Sequence, residues 1–158
     1  MQTFLPYSNI EKSLSVLDNK RLGKQRVEAF QILNVLHNRP TKTGKPYKGW
    51  VNHPCVIMWR GYETILEYYY NCCIDEWVRR GFKNTMEKVK IDKLLVNWPD
   101  WFGNEMFHSS HRANLLRKDL EYYSKFGWNE NPNDPYVWVD KNNKWYRQIS
   151  GTKIIEYV

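Results

Sequence analysis

The segment LDNKRLGKQRVEAFQIL holds four side chains spaced for joint chemistry. Asp18, Arg21, Gln25 and Glu28 recur three or four residues apart. On one helix, at roughly 100° per residue, they project within a sector of about 80°. That sector overlaps the apolar stripe formed further along by Ile32 and Leu36, so the polar group faces the body of the protein or a cleft. Charges placed there cost free energy unless they are paired. Two arrangements meet that condition. One is a structural ion-pair network of Asp18, Arg21 and Glu28. The other is the wall of a polar pocket combining an acid, an amide and cations. Lys20, Lys24 and Arg26 fan out around it and are of the type that holds phosphates.

Histidines form the second group. His53 lies in Asn52-His53-Pro54 at a helix start, and His108 and His111 lie three apart in HSSHR, on one face if helical. Three histidines can bind zinc, but no Cys or acidic residue stands at matching spacing, so no metal is expected. Hydrogen bonding to phosphate or to an extruded base is one reading of them, and satisfied structural histidines the other. His37 ends the first helix and caps it. Arg112, Arg117 and Lys118, with Asn114, put positive charge on the third helix, as a solvated face or as a contact surface. No motif calls for a cofactor.

The elements that must position these groups are mainly helical. The first helix is expected from Ser8 or Asn9 to His37, with a local break at Gly23. Leu22, Ala29, Ile32, Leu33 and Leu36 make its apolar stripe. The loop NRPTKTGKPYKGW follows, either a solvated connection or a loop that tracks a phosphate backbone. A second helix is expected from Pro54 to Arg80, ending at Gly81. Its aromatics and Cys72 and Cys73 read as core. Thr85–Val96 is a weaker amphipathic stretch, and Asn104–Tyr123 a third helix. YVWVD and KWYRQI alternate like strands around a Lys-Asn-Asn turn, which gives a short hairpin or extended tail. The fold class is therefore mainly α, one domain over 1–158.

Composition sets the outer limits. The chain has 158 residues and a net charge of +7, with 8 Trp and 11 Tyr, so a polyanion partner is favoured and long disorder is not. No apolar run approaches about 18 residues, which argues against a membrane span. MQTFLPYSNIEK lacks the pattern of a secretory signal. Cys55, Cys72 and Cys73 read as reduced thiols of a cytoplasmic protein.

Taken together, MQTFLPY, VLDNKRLGKQRVEA, NHPCVIMWRGYE, EWVRRGF and FHSSHRANLLRKD resemble the pyrimidine-dimer DNA glycosylase/AP lyase family of the phage endonuclease V type. A bacterial branch of that family is closer still. KWYRQISGTKIIEY resembles its aromatic, DNA-contacting tail. The resemblance implies a compact helical fold and a metal-free reaction. An N-terminal α-amine attacks the sugar C1′ of a damaged nucleotide and forms a Schiff base. A carboxylate stabilises the sugar cation and assists proton transfer, and β-elimination then cuts the strand. An α-amine suits this because its ordinary pKa is about 7.7–8.0. Here Gln2 is too bulky for the usual removal of the initiator, so the amine is that of Met1. Asp18 or Glu28 would supply the carboxylate. Arg21, Lys24, Gln25, Arg26, His53, Arg60, His108, His111, Arg112, Trp145 and Tyr146 would contact DNA. The implied partner is damaged double-stranded DNA, bound by a monomer without a cofactor. The rival readings are a non-catalytic nucleic-acid-binding module, or different chemistry on nucleotides in the same pocket.

Overall fold

The structure is a computed structural model that describes residues 1–92, 96–149, 152 and 155–158. Its helices are α1 (Ile10–Ser15), α2 (Asn19–Leu36), α3 (Pro54–Trp59), α4 (Glu63–Arg79), α5 (Glu105–Lys118) and α6 (Leu120–Tyr123). Strands β1 (Tyr136–Val139), β2 (Trp145–Gln148) and β3 (Ile155–Tyr157) follow. The class is mainly α, as expected.

Each long helix expected from the sequence is divided, for a local reason. The first divides between Val16 and Asp18. Asp18 is extended (φ −63°, ψ 157°), and its carboxylate accepts from Arg21 N at 3.3 Å, which makes it the N-cap of α2. Asp18 therefore lies just outside the helix that carries Arg21, Gln25 and Glu28. Gly23 does not break α2. A Cβ there would stand 3.1 Å from the Trp77 indole, so glycine lets α2 and α4 approach closely. The second helix divides at Gly61, which adopts φ +90°, a left-handed conformation that suits glycine. The third divides at Asp119 (φ −155°, ψ 83°), which ends α5 and caps α6.

Thr85–Val96 forms no helix over its described residues; Lys93, Leu94 and Leu95 lie outside them. The Asn71 carboxamide accepts from Val89 N at 2.8 Å and donates to Val89 O at 2.7 Å. Tyr70 Oη donates to Glu87 O at 2.7 Å. These bonds fasten the segment along α4 in place of helical ones.

The expected hairpin is present and gains a strand. β1 and β2 pair antiparallel with Trp138 opposite Tyr146, and β3 pairs with β2. Asn143 takes φ +62° in the turn, which the Asp140 carboxylate braces by accepting from Asn142 N and Lys144 N. Ser150, Gly151, Lys153 and Ile154 of the tail motif lie outside the described residues.

α2 lies along α4, and β1 packs on α3 and α5. Leu22, Ile32 and Leu33 join Leu66, Tyr69 and Cys73 in one buried core. Each such Leu or Ile contributes about 1.5–3 kcal/mol. No helix among the described residues is long and apolar enough to cross a membrane.

Candidate active site

Residues 2–6 are buried although they belong to no helix or strand. A chain end normally frays, and buried backbone polar groups need partners. Side chains supply them here. Gln25 is the centre of the arrangement. Its Oε1 accepts from Phe4 N at 2.9 Å and from Tyr69 Oη at 2.6 Å, and its Nε2 donates to Gln2 O at 3.0 Å. His108 Nδ1 donates to Leu5 O at 2.7 Å, while His111 Nδ1 accepts from Leu5 N at 2.9 Å. His108 Nε2 accepts from Gly103 N at 2.9 Å, which fixes its tautomer. Trp59 Nε1 donates to Thr3 Oγ1 at 3.0 Å, and Arg112 Nη1 to Pro6 O at 2.7 Å. Residues 2–6 are thus tied by side-chain hydrogen bonds to α2, α3, α4 and α5.

This segment ends in a cleft of about 230 Å³. Met1 lines it, with Lys20, Arg21, Lys24 and Lys118 as its cations and Glu28 as its carboxylate. Gln2, Phe4, Gln25 and Tyr136 complete the wall. Glu28 Oε2 accepts from Gln2 N at 3.1 Å and from Gln25 Nε2 at 3.2 Å. Four cations around one carboxylate leave the cleft positive, and anions are drawn to it. Burial and the neighbouring Arg21 and Arg117 hold the Lys118 ammonium below the ordinary lysine range.

His53, the N-cap of α3, lies outside this lining. Burial, then the positive charge of the N-terminus, push it down to about 4, so its imidazole is neutral near pH 7. Its Nδ1 accepts from Cys55 N at 3.1 Å, which places its proton on Nε2. Burial pushes the Cys55 thiol up to about 11, which removes it as a nucleophile.

The structure brings Met1, Arg21, Lys24, Gln25 and Glu28 together in the cleft and places the rest elsewhere. Asp18 is outside the lining. Burial would raise its pKa, but hydrogen bonds from Tyr123 and Arg21 hold the carboxyl below its ordinary range. Arg26 lies over the Trp77 ring at 4.4 Å and donates to Asn84. Arg112 is tied to Glu105 and, at 2.8 Å, to Glu130. His108 and His111 are fully buried, so neither offers surface to DNA; their bonds hold Leu5 instead. Arg60 is exposed beside a second cleft. Trp145 and Tyr146 are half-buried in the sheet, away from the amine cleft's lining. Among the described residues, no group of three or more His, Cys, Asp or Glu is placed to hold a metal.

Sequence reasoning missed Gln2 and Tyr136, and saw Lys118 only as helix charge. Nothing in MQTFLPY marks Gln2 as buried, and Tyr136 joins the cleft across more than a hundred positions.

In this mainly helical chain Met1 thus lines a cation-rimmed cleft that also holds the Glu28 carboxylate. The profile of the pyrimidine dimer DNA glycosylase family matches residues 1–90, and the chain belongs to that family of DNA-repair glycosylases. The match spans Met1, Gln25, Glu28 and His53, while α5 and the sheet lie beyond it. An aminopeptidase N of Lactobacillus delbrueckii subsp. lactis is 33% identical over 69 residues, 44% of this chain. The chain covers only 7% of that protein's length, so the similarity is local. No solved structure matches the chain.

Proposed function

We propose that the protein is a glycosylase and AP lyase acting, as a single copy, on damaged bases in double-stranded DNA through its N-terminal amine. One observation carries this reading. Glu28 Oε2 accepts from Gln2 N at 3.1 Å, in the cleft that Met1 lines, so the peptide N–H next to the terminal residue is fixed beside a carboxylate.

In the proposed reaction the amine lone pair attacks C1′ of an extruded nucleotide. The C1′–N bond breaks, and its electron pair leaves with the base, which takes up a proton. The amine loses its proton and the sugar ring opens to the iminium. Glu28 stabilises the sugar cation and shuttles the proton. Loss of the 2′ proton then expels the 3′ phosphate, and water frees the amine. We assign the carboxylate role to Glu28 and not Asp18, because Asp18 is committed to capping α2 and holding Arg21 and Tyr123. Lys20, Arg21, Lys24 and Lys118 would hold the flanking phosphates.

The test is borohydride trapping on abasic-site duplex and on ultraviolet-irradiated duplex. The expected result is a covalent adduct on the N-terminal peptide, lost when the N-terminus is acetylated. Mass analysis then assigns the nitrogen. Salt-sensitive binding with neither cutting nor trapping would overturn the reading in favour of a binding module.

A further inference from the structure

The loop between α2 and α3 carries Arg39, Lys42, Lys45 and Lys48, and none forms an ion pair among the described residues. The loop ends in two exposed apolar residues, Trp50 at 43% and Val51 at 40%. What sets this pair apart is its place: both side chains are exposed directly after the loop's four cations.

Trp50 is also the outer end of a row of rings. Its indole lies against His53 with centroids 5.8 Å apart. His53 meets Trp138 edge-on at 6.3 Å, and Trp138 packs on Tyr136 at 5.4 Å. Tyr136 lines the amine cleft. The row therefore runs from solvent to the site where the sugar would react. Beside it, Val51 opens onto a larger cleft of about 630 Å³ with Arg60 and Lys141 on its wall.

A planar ligand carried on a polyanion fits this placement. Stacking surfaces next to unpaired cations are how proteins hold bases that have left the helix. Apolar side chains inserted between base steps hold a duplex open. We propose that Trp50 stacks on a DNA base next to the extruded nucleotide and holds the opened helix, while the loop's cations follow the adjoining phosphates. This rests on the amine cleft being a glycosylase site. Trp50 is a positioning residue for duplex substrate and takes no part in the bond-breaking steps.

The test compares Trp50→Ala and Trp50→Phe with the wild type on one abasic oligonucleotide, single-stranded and in duplex, with 2-aminopurine beside the lesion. The expected loss for Trp50→Ala on duplex is about 5- to 150-fold, the range of one base–aromatic stack, and it is smaller on single strand, where no opened helix has to be held. Trp50→Phe recovers most of it. Wild type alters the 2-aminopurine fluorescence and Trp50→Ala does not. Equal losses on both substrates, or no loss on duplex, overturn the proposal, and the second result would leave Trp50 to a protein partner. If wild type is trapped on neither substrate, the glycosylase reading fails instead. The 2-aminopurine comparison still decides the stacking in that case.

Discussion

The backbone N–H of Gln2 donates to Oε2 of Glu28 at 3.1 Å, across 26 residues of sequence. This contact joins the head of the chain to the cleft-facing side of α2. Its first consequence concerns chemistry. Glu28→Gln keeps an acceptor for Gln2 N but removes the negative charge. Strand cleavage is expected to fall by about 10²- to 10⁴-fold, the usual worth of a positioned acid–base group. DNA affinity and melting temperature should hardly move. Single-turnover cleavage and filter binding on one preparation check both halves, and full cleavage by Glu28→Gln would remove the carboxylate from the mechanism.

Gln25 has a different role. Its carboxamide satisfies Phe4 N and Gln2 O, both in the buried segment. Gln25→Leu keeps most of the volume and leaves both groups without a partner. The expected cost is about 3 kcal/mol, or roughly 6–12 °C in Tm for a chain of this size. Catalysis should fall more than DNA binding, because the cations of the cleft remain while the amine loses its anchor. Thermal melts and trapping yields measured below the new Tm separate the two effects.

How much of this was legible in the sequence follows from the range of each interaction. The stripe of Leu22, Ala29, Ile32 and Leu33, and the face of Arg21, Gln25 and Glu28, are set by helical period and could be read directly. Asp18 shares that spacing but also caps helices well, and its local bond to Arg21 N starts α2 one residue later. For His108 and His111 the spacing leaves two roles open, contact with DNA or structural bonding, because their partner, Leu5, lies 103 and 106 positions away. The amphipathic stretch from Thr85 is held along α4 by Asn71, whose side chain bonds both polar groups of Val89. Local pattern showed which residues were special, and only the tertiary fold assigned their tasks.

Acid should loosen the protein through its histidines. Burial lowers the pKa of His53, His108 and His111, with His53 pushed down from 6.5 to about 4. The folded state then binds fewer protons than the unfolded chain, so stability is full above pH 6.5 and declines as pH falls toward 4. The Asp18 carboxylate has the same sign but acts below its ordinary value of 3.8. Tm is expected to fall steadily between pH 6.5 and pH 4. His53→Asn can still cap α3 and does not titrate, so it should flatten part of that slope; an unchanged slope would place the effect on the other two.

Gly23 tests the contact of α2 with α4. Alanine would gain about 1 kcal/mol of helix propensity. Its Cβ would meet Trp77 at 3.1 Å, and Trp77 has little room to move. The indole stacks on Phe82 at 4.2 Å, lies under Arg26 at 4.4 Å, and donates to Lys83 O at 3.0 Å. Overpacking should win, with Gly23→Ala less stable by about 1 kcal/mol. In a Trp77→Leu background the sign should reverse, which a double-mutant cycle of denaturant melts measures.

Arg112 and Lys24 share a charge but should fail in different ways. Arg112 is tied to Glu105 and Glu130 and donates to Pro6 O, so its guanidinium is spent inside the protein. Lys24 lines the amine cleft and has no ion-pair partner among the described residues. Arg112→Ala leaves the largely buried Glu130 unpaired, and is expected to cost about 3 kcal/mol of stability. The salt dependence of DNA affinity should stay as it was. Lys24→Ala should leave stability within about 0.5 kcal/mol and lower the slope of log K against log salt by about 1. Urea melts and binding titrations across a salt series give all four numbers. If Arg112→Ala lowered the slope instead, the Arg112 face of α5 and not the Met1 cleft would be the one that meets the phosphates.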